Sequence, residues 1–262
     1  MLMRALCSVA PRRHRIYRML SRLAADRYNI YHVEGGLIYL NLHESAAMVQ
    51  RAMSVYEPAK HALIRRHLRP GMTFIDVGAN KGDFTLLAAR LAGNTGRVIS
   101  IEPEPGNHSI LQRSIALNHY SNITVLQLAL SERDGTAYLK IGSTSGAHTL
   151  SPEFRGLLKT VPVPTRTLDA VVAEQQLPSV DMIKIDVQGL ELDVLRGAAE
   201  TLRANPRIIL LLDLPKQIEK RRAIGDYLAP FGFTYFPDGN ERAPTRDFPP
   251  NASEVTATRP HS

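Results

Sequence analysis

The chain has 262 residues, 44% of them hydrophobic, which is enough to bury one sizeable core near the upper size of a single domain. Its one cysteine, Cys7, excludes an internal disulfide and a cysteine-based metal cluster, and fits a reducing compartment. The formal net charge is +7, but residues 1–28 hold seven arginines against a single acid, Asp26, so the body is nearly neutral and offers no track for a nucleic acid.

Residues 1–32 read as a basic amphipathic region. Over 12–25, Ile16, Leu20 and Leu23 share one helical face with Met19 beside them, while Arg12, Arg15, Arg18 and Arg22 lie mostly elsewhere. Such a helix can make a peripheral contact with an anionic membrane surface, although its commoner use is to pack the apolar stripe on its own domain. No apolar run approaches the roughly 18 residues of a membrane span. Pro11 and the arginines after it interrupt any secretory leader, so a cytoplasmic protein is expected.

A domain is expected over 33–236, with an N-terminal layer to residue 71 and a core from residue 72. Val33 to Leu42 suggests a short hairpin around Gly35-Gly36, and a helix follows from Pro58 to Leu68, stopped by Arg69-Pro70-Gly71. The core then alternates strand 73–77, helix 83–91, strand 97–102, helix 107–118 and strand 124–128. Alternation at this spacing indicates βαβ units in a parallel sheet.

The rhythm changes at Asp134-Gly135, and 132–166 reads as an antiparallel excursion with strands at 136–141 and 160–165 around a Gly/Ser-rich loop. Helix 168–175, strand 181–186, helix 190–202, strand 207–213 and a later strand at 234–236 resume the parallel pattern. The expected architecture is α/β, a seven-stranded mixed sheet with helices on both faces. From 237 to 262 the chain is rich in Pro, Asn, Arg and Thr, and an unstructured tail is expected there.

The chemistry concentrates at the turn after the first core strand, Phe74-Ile-Asp-Val-Gly-Ala-Asn-Lys-Gly-Asp83. In parallel α/β sheets ligands bind at the carboxyl ends of strands, and Gly78 and Gly82 permit close backbone approach. A Walker loop would need Gly-Lys followed by Ser or Thr, and this turn reads Asn80-Lys81-Gly82-Asp83. A dinucleotide pyrophosphate would be repelled by Asp76 and Asp83 on either side. A ligand with a sulfonium and an ammonium group suits that acidic lip, with its carboxylate on the turn amides, and S-adenosylmethionine (SAM) is such a ligand. Glu102 ends the second strand, where an acid accepts hydrogen bonds from a ribose diol.

A second acid-ended strand, Val180 to Asp186, should lie beside this turn. Asp186 is a candidate to orient an acceptor hydroxyl, take its proton or help hold a divalent ion, against the plainer reading of a helix cap. Glu191 stands one turn into the following helix and His148 in the 142–149 loop; both are catalytic candidates, the histidine for its titration near neutral pH. Metal dependence is left open, because a hard cation needs several converging oxygens.

Asp76-Val-Gly-Ala-Asn-Lys-Gly-Asp-Phe-Thr85, Ala129-Leu-Ser131 with Asp134-Gly135, Val163 to Leu168 and Ile183 to Leu195 together resemble the FkbM family of SAM-dependent methyltransferases, and Tyr56-Glu57-Pro58 looks like that family's opening segment. The resemblance spans roughly residues 35–235. It implies a Rossmann-like methyltransferase fold and O-methylation of a hydroxyl on a sugar, glycan or polyketide-type acceptor. It carries Asp76, Gly78, Asn80 and Gly82 over to the amino-acid end of SAM and Glu102 to its ribose. Glu57, Ala79, Pro103 and Ala129, in or beside the same segments, complete the set assigned to the cofactor. Gln188 stands where the family usually has Glu, and Asp213 where a Glu commonly ends the later strand.

Overall fold

The computed structural model describes residues 13–140, 149–151, 160–238, 240 and 244–259. The expected seven-stranded mixed sheet is present. It contains β3 (Thr73–Val77), β4 (Arg97–Ile101), β5 (Ile123–Leu126), β10 (Met182–Ile185), β11 (Ile209–Asp213), β12 (Thr234–Pro237) and β13 (Glu254–Thr258). Their order is β12-β13-β11-β10-β3-β4-β5, and only β13 runs antiparallel to its neighbours. The order reverses between β3 and β10, and a crevice opens at such a switch point, outside the carboxyl ends of the strands.

The central strands are buried on both faces, so their side chains alternate between two apolar layers. Ile75, Val77, Ile183 and Ile185 join α6 (Leu168–Glu174), α7 (Glu191–Arg196), α8 (Ala199–Ala204) and α9 (Ile218–Leu228) on one side. Phe74, Val98 and Met182 join α3 (Pro58–His67) and α4 (Asp83–Ala92) on the other. Helices therefore cover both faces, and α5 (Pro105–Asn118) links β4 to β5. This is the Rossmann-like α/β architecture expected from the sequence.

The helix expected over 190–202 is two. Gly197 caps the first of them at a close approach of the chain, where a Cβ would lie 2.2 Å from the Ser131 carbonyl oxygen. A fresh N-terminus follows, where the Asp169 carboxylate accepts the backbone N–H groups of Glu200 at 3.0 Å and Thr201 at 2.8 Å.

The excursion forms its own four-stranded sheet from β6 (Ala129–Leu130), β7 (Gly135–Lys140), β8 (Thr149–Ser151) and β9 (Thr160–Arg166), in the order β6-β9-β7-β8. Its pairings are antiparallel except β6 with β9. In the N-terminal layer the hairpin starts earlier than expected, with β1 at Asn29–Val33 and β2 at Gly36–Leu40. A short helix the sequence reading missed, α2 (Ala46–Ala52), buries Met48 and Val49. The amphipathic helix α1 (Arg13–Leu23) packs Ile16, Tyr17 and Leu20 against Val49, Ala46 and Met53, and leaves Met19 and Leu23 exposed. No described helix is long and apolar enough to cross a membrane.

The unstructured tail expected after residue 236 is corrected by β13, which inserts between β11 and β12 with Val255 and Ala257 buried. A strand of five residues with small side chains leaves composition almost unchanged, which is why the Pro- and Asn-rich loop before it dominated the reading.

Candidate functional site

The crevice holds a cavity of about 680 Å³. Its floor comes from the ends of β3, β4 and β10, one wall from the segment joining α2 to α3, and another from the chain after β11. Of the cofactor residues expected from sequence, Glu57, Gly78, Ala79, Asn80, Glu102, Pro103 and Ala129 line it, as do the catalytic candidates Asp186 and Glu191. His148 lies outside the described residues.

Asp76 and Gly82 do not line the cavity. Asp76 points to the α4 side of the sheet and is wholly buried. There it accepts the Thr85 hydroxyl at 2.7 Å and pairs with the Lys184 ammonium at 3.1 Å across its register partner on β10. The glycines serve contacts within the protein: a Cβ on Gly78 would lie 2.1 Å from the Asp186 carbonyl oxygen, and one on Gly82 would lie 2.4 Å from Leu111 Cδ1. The expectation that the turn amides receive a ligand carboxylate is also corrected. Gly78 and Ala79 donate to the Ile101 carbonyl, Asn80 to Glu102 Oε2, Lys81 to Asn80 Oδ1 and Gly82 to the Ala79 carbonyl.

Glu102 is where the strand-end argument placed it. Its Oε2 accepts from Asn80 N at 2.8 Å and its Oε1 from Glu104 N at 2.9 Å, which fixes the carboxyl at the cavity floor. Burial pushes its pKa up to about 7, against the pull of those donors. The Asn107 side chain also hydrogen-bonds this carboxyl, and the acceptor capacity that remains is what it can offer to a ribose hydroxyl.

Asp186 stands across the turn from Glu102. Burial alone would raise its pKa, but the charges of Lys184 and Lys60 and hydrogen bonds from Asp213 and Gln188 hold it below the usual range. Gln188 Nε2 donates to its Oδ1 at 3.1 Å. Burial and the neighbouring charge of Asp186 push Asp213 up to about 7, against the pull of Lys60.

Lys60 was not singled out in the sequence, yet its ammonium joins three elements, α3, β11 and β13. It lies 2.6 Å from each carboxyl oxygen of Asp213, 3.0 Å from Glu57 and 3.4 Å from Glu254; burial opposes its charge, but Asp213, Glu57 and Asp186 drive its pKa up. No local pattern marks such a contact. Lys184 did carry a signal: a lysine inside the apolar run Met182–Ile185 needs a buried counter-charge, and Asp76 occupies the equivalent place one strand away.

Glu191 opens α7, and its Oε1 accepts the Gly189 N–H at 2.8 Å while Oε2 is buried without a hydrogen-bond partner. Burial raises its pKa. It braces the loop that carries Asp186. Asp83 keeps the acidic lip, hydrogen-bonded to His61 Nε2 at 3.1 Å. Among the described residues no group of three or more His, Cys, Asp or Glu side chains is arranged to hold a metal ion.

The methyltransferase FkbM domain model matches residues 76–233. Methyltransferase sdnD of Sordaria araneosa is 32% identical over 157 residues, covering 48% of this chain and 60% of that protein. The hexuronic acid methyltransferase AglP of Haloferax volcanii is 25% identical over 150 residues, 55% of this chain and 59% of that protein. The chain thus spans about 60% of the length of these curated relatives. A solved structure described as a candidate transferase of Pyrococcus horikoshii superposes with a TM-score of 0.51 at 12% identity, over 95% of this chain and 83% of that one, a likeness of fold. On the family match, the chain belongs to the FkbM methyltransferase family.

Proposed function

We propose that the protein binds SAM in this cavity and transfers its methyl group to a hydroxyl oxygen of a sugar-containing or polyketide-type acceptor. The observation that carries the reading is the placement of two acids on one cavity floor, Glu102 at the end of β4 and Asp186 at the end of β10, on either side of the turn after β3. The donor set suits the ligand. Glu102 offers its remaining acceptor capacity to the ribose diol, and Asp83, Glu57 and Asp186 present negative charge to the ammonium and sulfonium. The relative named for hexuronic acid supports a sugar acceptor.

SAM, when bound, supplies a methyl carbon activated by its sulfonium. The protein's part is to hold the acceptor oxygen in line with that carbon, an effect worth up to about 7–11 kcal/mol. Asp186, held ionised by Lys184 and Lys60, accepts the hydrogen bond of the acceptor hydroxyl and orients its lone pair, and the proton passes to it as the oxygen is methylated. Glu191 fixes the loop from which Asp186 acts.

Calorimetric titration of the full chain with SAM and with NAD tests the reading: micromolar SAM binding without NAD binding is expected, and absence of SAM binding overturns it. A second reading, a SAM-binding partner without turnover in a glycan assembly complex, rests on Gln188 in contact with Asp186 where the family usually has Glu. SAM binding with no turnover in a screen of glycan and polyketide acceptors would favour it.

A further inference from the structure

Arg51 closes the wall of the cavity that α2 supplies, and nothing so far gives it a role. It is 7% exposed. Its guanidinium carbon stacks 3.7 Å from the centroid of the Tyr56 ring. Its Nε is buried with no hydrogen-bond partner, and among the described residues no ion pair to Arg51 forms. The other cations on the wall are accounted for, since Lys184 pairs with Asp76 and Lys216 is exposed to solvent.

Burial opposes the guanidinium charge, but Tyr56 and the acids Asp83, Glu57 and Asp186 hold it in place from a distance; none of these acids pairs with it directly, so its N–H donors stay available to an anion that enters the cavity. Stacking on Tyr56 fixes the plane of the guanidinium, which leaves it prepared for a planar, two-oxygen partner. The turn that was expected to hold a ligand carboxylate has no free amide, because all five N–H groups from Gly78 to Gly82 are engaged within the protein. The same wall carries Glu57 and Asp83, acids suited to an ammonium. Cation and acids together match a zwitterion.

We infer that Arg51 receives the carboxylate at the amino-acid end of SAM, an assignment that rests on the SAM reading above. Arg51 is then a cofactor-binding residue supplied by the N-terminal layer, outside the segment 76–233 that the family model matches.

The test compares SAM with decarboxylated SAM, which differs by that carboxylate alone and keeps the amine, by calorimetric titration of the full chain and of Arg51→Gln. In the parent, decarboxylated SAM should bind weaker by on the order of 10- to 100-fold, as for a hydrogen-bonded charge. In Arg51→Gln, SAM should fall to the level of decarboxylated SAM, whose own affinity should hold, so that the gap closes. A gap that persists in the variant, or is absent from the parent, overturns the assignment. Arg51→Lys, with thermal melts of both variants, covers a failure of Arg51→Gln to fold: the lysine should narrow the gap, and an unchanged gap overturns the inference. A parent that binds neither compound overturns the SAM reading itself, an outcome distinct from both.

Discussion

The Lys60 ammonium lies 2.6 Å from both carboxyl oxygens of Asp213, a residue 153 positions further along the chain. The pair ties the N-terminal layer to the end of β11, and Glu254 brings β13 to the same point at 3.4 Å. Removing one partner of a buried ion pair leaves the others uncompensated. Lys60→Met is therefore expected to destabilise by on the order of 3 kcal/mol, the lower end of the range because its acids stay partly exposed. The double variant Lys60→Met/Asp213→Asn should recover part of that loss, which urea unfolding of the parent, both single variants and the double variant would measure. Strict additivity would mean the pair does not interact.

Asp186→Asn separates orientation of the acceptor from cofactor binding. Turnover is expected to drop by roughly 10²–10⁴-fold while SAM affinity stays close to that of the parent. Titration beside a single-turnover assay reads both. A loss confined to SAM affinity would place Asp186 among the cofactor contacts.

Asp76 is expected to act through the fold. Asp76→Ala strands the Lys184 ammonium among Phe84 and the strand backbone, and the cost is on the order of 3–5 kcal/mol. A lower thermal midpoint should accompany any loss of SAM binding. Unchanged stability with abolished binding would mean direct contact with the ligand.

His61 gives a pH dependence whose sign is fixed by its partners. Burial opposes protonation, but hydrogen bonds and charge from Asp83 and Glu34 outweigh it and raise the folded pKa. Its contribution is therefore fully present below the unfolded value of about 6.5 and lost as pH rises through the folded one. His61→Gln should cost most stability below the unfolded value of about 6.5 and progressively less as pH rises above it. A penalty that grows with pH would contradict the pairing.

Val255→Asp probes the strand that replaced the expected tail. It removes apolar burial worth about 1.5–3 kcal/mol and places a carboxylate in the sheet interior. Insoluble or unfolded protein is expected. A fully soluble, parent-like melt would mean β13 is dispensable.

The core from β3 to β4 was legible because its strands are short, mainly apolar runs separated by a glycine turn and a helix, and Glu102 followed from a fixed place at a strand end. The face on which Asp76 lies was not legible. Period-two alternation separates it from Ile75 and Val77, but only the packing of Thr85 shows that α4 covers its side of the sheet. Lys60, Arg51 and β13 were missed for a related reason: each acts through contacts between segments distant in sequence, and local periodicity carries no record of them. The short helix α2 offers seven residues, too few for a helical period to stand out.

The place of β13 also bears on how the sheet assembles. Strand β12 precedes β13 in the chain yet reaches β11 only through it, so neither outer strand position can be filled in the order of synthesis. Until Glu254–Thr258 arrives, the edge of β11, whose sequence is Ile-Leu-Leu-Leu-Asp, lies open with unpaired backbone groups. Open apolar edges invite pairing between chains. Refolding yield should thus depend on protein concentration more steeply than native stability does, with the late closure of this edge as the step at which chains are lost to aggregation.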